Sequence, residues 1–308
     1  MIMVFIAATI AAYYTGHIQE IGGNRGFGLP SADDWITSGT VSLWLGITAN
    51  IASMLLTAYL TKRFNTMRSM SDLSIGLAAF ITGAVPSVAG QLCGGTLLCI
   101  TVISCCILLM STYGDPYRRQ RVFLLFFIVA TLSFTQYAFI FYIPVFIVGC
   151  IQMRIFNFKT LLAAGIGMIT PPWILFGSGI LRFSEIELPQ FTSALTATDD
   201  REAIPILVAA GVTILAGIGF TAANLVKVIA YNSRTRSFNG LLSLLLITTA
   251  ILVIIDFNNM SAYLPLLYCM TAYQAAHFFS IRRRTRSYIG ILVIIVAYTL
   301  IYIWNLWI

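Results

Sequence analysis

Asp33 and Asp34 stand side by side in the segment SADDWITSG, with His17, Arg25 and Trp35 in the same polar stretch. Adjacent carboxylates can act as general base toward an acceptor hydroxyl, or hold a divalent cation against a diphosphate. Arg25 and Trp35 are then candidate substrate contacts. The competing reading is conformational. Ser31 or Asp33 caps a helix that begins near Trp35, with acids favoured at its positive end and the indole serving as an interfacial anchor. A second pair, Asp199 and Asp200 in TATDDREAIP, fits better as the cap of a helix starting near Ala203. Thr271, Gln274 and His277 recur at spacings of three, which puts them on one helix face as a polar strip able to line an internal pocket and contact substrate.

The elements that must position these residues are set by composition. Of 308 residues, 59% are hydrophobic and only 9% charged, against about 25% charged in an ordinary soluble domain. That balance excludes a water-exposed globule and requires lipid as part of the solvent. Apolar runs bounded by charge, Gly and Pro lie at 1–16, 40–61, 71–89, 94–112, 122–136, 138–153, 160–181, 204–226, 239–257, 262–281 and 287–308. The expected fold is an all-α polytopic bundle of about eleven spans forming one transmembrane domain. Within it, 122–153 is too long for one upright span, so a tight hairpin turning at Gln136 and Tyr137 is expected.

Charge gives the orientation. With the N-terminus inside, the loops on the cytoplasmic side hold 15 of the 18 basic residues, and only Arg25, Arg182 and Arg201 fall outside. This bias predicts a cytoplasmic N-terminus and an external C-terminus. It also accounts for the net charge of +7 without a nucleic-acid partner. The two long loops, 17–39 and 182–203, are then external, so chemistry is expected away from the cytoplasm. Neither is long enough to bury a core of its own.

The remaining polar residues are expected to be structural. Asp256 ends the run LLSLLLITTAILVIID and is followed by Asn258 and Asn259, which places it at the external interface. A charge at the bilayer centre would cost at least ~2.5–3.5 kcal/mol, and no other acid or base sits in mid-span. His277, near the cytoplasmic end of its helix, suits a structural imidazole better than a proton relay. The six cysteines all lie in apolar runs without a C-x-x-C pair and suit small buried hydrophobes. Pro86, Pro144, Pro171–Pro172 and Pro265 are expected to bend helices, and Gly165, Gly167, Gly177 and Gly179 to permit close packing.

The order of LTAYLTKRFN, SDLSIGLAAFITGAVPSVAG, the hairpin followed by Arg154, Phe156 and Lys159, the Pro171–Pro172 pair and YLPLLYCMTAYQAAHFF resembles an uncharacterised family of multi-pass inner-membrane proteins of Bacteroidota. That resemblance implies a bacterial inner (plasma) membrane location and carries no site residues. In the placement of an acidic pair in the first external loop, Asp33–Asp34 is also similar to the lipid-linked-sugar glycosyltransferases of the C superfamily. The chain departs from them in its short first span and in lacking amphipathic loop helices and a soluble C-terminal domain. This second likeness implies a polyprenyl phosphate sugar as substrate and membrane lipids as partners. Three functions follow as expectations: handling of envelope glycoconjugates or polyprenyl-linked lipids, with Asp33 or Asp34 as base or metal ligand; transport or flipping of a lipid or small molecule; or a non-catalytic subunit bound to other envelope proteins.

Overall fold

The computed structural model describes residues 1–18, 26–67, 71–182, 186, 204–228, 231–281 and 284–307. Among the described residues the chain forms twelve α-helices and no strand. In order they are α1 (Ile2–Tyr14), α2 (Gly39–Phe64), α3 (Ser71–Gly83), α4 (Pro86–Ala89), α5 (Gly94–Met110) and α6 (Arg119–Ser133). They continue as α7 (Ile143–Gln152), α8 (Phe158–Gly177), α9 (Ile204–Val228), α10 (Ser233–Ile255), α11 (Met260–Ile281) and α12 (Arg284–Trp307). Five helical stretches are long and apolar enough to cross a membrane: α2, α8, α9, α10 and Tyr288–Trp307 of α12. Such helices are compatible with an integral membrane protein. A helical element also stands at every other expected stretch, with α1, α3, α5 and the unit Tyr137–Gln152 as shorter apolar helices.

Local chemistry sets the boundaries. α2 ends at Asn65, which takes the left-handed conformation (φ 49°), and its last turn carries Lys62 and Arg63 against the negative helix end. α8 starts where the Asn157 side chain accepts the Thr160 N–H at 2.7 Å. The 122–153 stretch does fold back: α6 stops at Ser133, a 3-10 helix runs from Tyr137 to Tyr142, and α7 follows. The two flanks meet again at Gly114 N–H, which donates to the Met153 carbonyl at 3.0 Å.

Two of the expected proline bends are corrected. Pro86 and Pro144 stand in the first turn of α4 and α7, where a missing N–H costs nothing and the fixed φ suits the helix start. Pro171–Pro172 and Pro265 do lie inside α8 and α11. The glycine expectation also narrows. Only Gly167 of the four meets a neighbour, its missing Cβ facing the Phe123 carbonyl at 2.7 Å, whereas Gly165, Gly177 and Gly179 face open space.

α11 is the axis of the bundle. Every residue from Ala262 to His277 is buried, enclosed by α2, α3, α5, α9, α10 and α12. Three fully buried tyrosines, Tyr263, Tyr268 and Tyr273, give this helix most of its packing bulk. α6 and α8 form a pair at the side, and α8 turns Ile166, Ile169 and Trp173 outward.

The bundle has two chemically distinct ends. At one, Arg154 donates to Ser233 Oγ at 2.7 Å, Arg118 donates to the Ser111 carbonyl at 3.0 Å, and Arg234 lies over the Tyr113 ring. The ion pairs Lys62–Asp72 (2.9 Å) and Arg118–Asp115 (2.7 Å) join connections at this end. The other end gathers the start of α5, the 3-10 helix Ala32–Trp35 and the α10–α11 turn.

Candidate functional site

The second end holds the first acidic pair. Ser31 is buried and caps the one-turn 3-10 helix Ala32–Trp35. Its hydroxyl accepts the Asp33 N–H at 3.3 Å, and its own N–H donates to Asp34 Oδ2 at 3.3 Å. Asp34 is therefore spent on a reciprocal cap, and its side chain otherwise faces solvent. Of the two expected caps it is Ser31 that serves, so the helix begins at Ala32 and ends at Trp35, where its start was expected. Trp35 is half exposed, with its indole N–H on the Pro30 carbonyl at 3.2 Å.

Asp33 is placed differently from its neighbour. Its carboxylate accepts the Ser31 hydroxyl at 3.0 Å and faces the Gly94 N–H at the start of α5. Burial outweighs both contacts and holds the carboxyl above its ordinary value of 3.8. A half-buried acid with a raised pKa at a helix N-terminus is chemically poised for proton transfer.

The segment leading to Asp33 is pinned across the end of α6. Leu29 N–H donates to the Phe134 carbonyl at 3.0 Å, and the Phe27 ring packs edge-on against Phe134. Phe134 in turn packs against Phe176 of α8, with ring centroids 6.1 Å apart. Phe176 belongs to an open cleft of about 600 Å³ lined by Met168, Ile169, Pro172, Trp173, Phe176 and Gly177. All six lining residues are on α8, with Ile169 and Trp173 on its outward face, so the cleft is an open apolar surface suited to a hydrocarbon chain. Phe176 ties one end of it to Phe134 and the segment leading to Asp33.

The same end contains an acid that the sequence assigned to the interface. Asp256 stands just past the end of α10, at this end of the bundle, and is fully buried among protein side chains. Tyr137 and Tyr263 donate their hydroxyls to Asp256 Oδ2 at 2.8 and 2.9 Å, and Asn259 donates to Oδ1 at 2.6 Å. Among the described residues no ion pair reaches it. Burial raises its pKa against the lowering effect of the two tyrosines. Three neutral donors replace the water that an interfacial carboxylate would have used. Asn259 and Tyr263, three and seven residues after Asp256, were the signal available in sequence, since that spacing returns side chains to one side of a helix.

Gln274 and His277 are elsewhere. Gly95 of α5 packs against the Ser261 carbonyl, where an added Cβ would lie 2.5 Å away, so the start of α11 lies beside α5. Gln274 is thirteen residues further along α11, about 20 Å at 1.5 Å per residue. There its amide accepts from Asn224 at 2.9 Å and donates to Ser243 at 3.1 Å. His277 is buried, stacked on Tyr273 and edge-on to Tyr231. The strip is internal, as expected, but it is not part of a site with Asp33. Arg25, Asp199 and Asp200 lie outside the described residues.

No family model, curated protein or solved structure matches the chain. The first family resemblance therefore rests on motif order alone, and the second on the placement of the Asp33–Asp34 pair alone. Among the described residues no group of three or more His, Cys, Asp or Glu could hold a metal ion. A divalent cation at Asp33 would depend on the phosphates of its substrate for the rest of its ligands. All six cysteines are free thiols buried in the bundle.

Proposed function

We propose that the chain is an inner-membrane protein of eleven passes, cytoplasmic at its N-terminus and external at its C-terminus. We further propose that it handles a polyprenyl-linked lipid, as in envelope glycoconjugate assembly, at its external end. The apolar chain would lie in the α8 cleft, and the lipid's phosphate and sugar would reach the segment 26–35. Asp33 would act as general base toward the acceptor hydroxyl, with Arg25 and Trp35 as contacts and Asp34 as a structural cap. The observation that carries this reading is the half-buried Asp33 carboxylate held at the start of α5, in a segment whose Phe27 and Leu29 reach the cleft residue Phe176 through Phe134. The clustering of basic side chains at the opposite end supports the orientation.

Complementation of a deletion strain tests it. Asp33→Asn should abolish function at normal abundance in the membrane, because it removes the proton acceptor and little else. Asp34→Asn should retain function while losing about 0.5–2 kcal/mol of cap stability. Gentle purification of the wild-type chain with lipid mass spectrometry should find a polyprenyl phosphate. Full complementation by Asp33→Asn at normal abundance would overturn the catalytic reading. A stoichiometric protein partner in place of the lipid would turn the assignment to a subunit of an envelope complex.

A further inference from the structure

α9 is built with its polar side inward. Thr213, Gly217, Thr221 and Asn224 recur at spacings of four, four and three along its buried face. Leu215, Ile218, Leu225 and Val226 point outward and are exposed. In water that arrangement would be reversed, and in lipid it is free to occur on the outside but must be explained on the inside. α11 and, through Tyr298, α12 face this strip with polar groups of their own. Thr213 Oγ1 and Tyr298 Oη are 2.7 Å apart, Thr271 Oγ1 lies 2.7 Å from where a Gly217 Cβ would stand, and Asn224 bonds to Gln274. The seam runs from Tyr268 to His277, near the end where Lys227 covers the Phe278 ring.

Polar atoms in this seam lack protein partners. Thr221 Oγ1, Thr271 Oγ1, Asn224 Oδ1, Tyr268 Oη and His277 Nδ1 are all buried and make no hydrogen bond among the described residues. Other buried helical threonines, such as Thr57, Thr61 and Thr249, donate to a carbonyl one turn back on their own helix. An unsatisfied buried polar atom costs about 1–3 kcal/mol, and most such groups in folded proteins are paired. Five along one helix–helix seam therefore mark a place where partners come from outside the chain. The five atoms belong to hydroxyl, amide and imidazole groups that include both donors and acceptors, and among the described residues no carboxylate lines the seam. The ligand must then be small, neutral and able to donate and accept. Water fits, needing two to four polar partners per molecule.

We infer that the seam between α9 and α11 binds a file of water molecules reaching from His277 to Tyr268, a hydrated path through half the bundle that is separate from the Asp33 end. X-ray radiolysis of the full chain in lipid nanodiscs, read by mass spectrometry, tests this directly, because hydroxyl radicals form from water bound inside a protein. Tyr268 and His277 should be oxidised, while Phe139 and Phe146, equally buried and distant from the strip, should remain unmodified. Tyr268 and His277 as unreactive as the two phenylalanines would overturn the inference. A thermal measurement gives an independent arm. Thr221→Val with Thr271→Val should lower Tm if both hydroxyls bond to water. An unchanged or raised Tm, the result for two hydroxyls that were unsatisfied, would contradict it.

Discussion

Asp256 and Asp33 show how one side-chain type takes two roles at the same end of the bundle. Asp256 is sealed by Tyr137, Tyr263 and Asn259, so it organises the α10–α11 turn. Tyr137→Phe or Tyr263→Phe should each destabilise by about 1.5–3 kcal/mol, the range for a hydrogen bond to a charged group, measured by thermal unfolding in detergent. Its pH behaviour has a definite sign. Because burial raises the folded pKa above 3.8, the protonated form is favoured by folding. Its stabilisation is complete below 3.8 and declines as pH rises through the folded value. Asp256→Asn does not titrate, so the Tm advantage of the wild type over this variant should shrink as pH rises. An advantage that grows with pH would mean that the three donors outweigh burial. The acidic limb of any activity that depends on Asp33 should likewise lie above 3.8, since its pKa is also raised and the base must be ionised. Sequence alone exposed Asp33 but not Asp256. The Tyr137 hydroxyl, 119 residues away, leaves no local spacing signal, and the nearby spacing of Asn259 and Tyr263 was not read.

Helical elements were far more legible than side-chain networks, because length and hydropathy are local properties. The turn at Gln136 was visible from the length of 122–153 and the arginines on both flanks. The roles of individual prolines and glycines were not, because they depend on what packs nearby. Pro86 and Pro144 begin helices, and Gly165 and Gly167 sit two residues apart in α8 with opposite surroundings. That contrast is testable. Gly167→Ala should cost about 1–3 kcal/mol by overpacking against the Phe123 backbone. Gly165→Ala meets open space and should gain up to about 1 kcal/mol of helix propensity. Unfolding midpoints of the two variants should move in opposite directions, and a common loss would show that α8 is covered on both faces. The polar strip Thr271, Gln274 and His277 was also visible as a face of one helix. Its partner strip on α9 was not read, since Thr213, Thr221 and Asn224 are scattered singly in a strongly apolar run.

At the scale of the whole molecule, composition calls for lipid as part of the solvent, and the charge distribution supports the proposed direction. The bundle separates an end rich in Arg and Lys from an end that carries Asp33 and Asp256, and the function proposed here requires the acidic end to face outward. The buried state of all six native cysteines leaves the surface free for single-cysteine labelling of the otherwise unaltered chain. Ser38 and Ser178 stand exposed at the Asp33 end, and Tyr117 and Phe158 are exposed at the basic end. The central test is to introduce one cysteine at each of these four positions and treat intact spheroplasts with a membrane-impermeant maleimide. Ser38→Cys and Ser178→Cys should label at once, and Tyr117→Cys and Phe158→Cys only after lysis. The reverse pattern, or labelling of both pairs from one side, would contradict the placement of the Asp33 site on the external face.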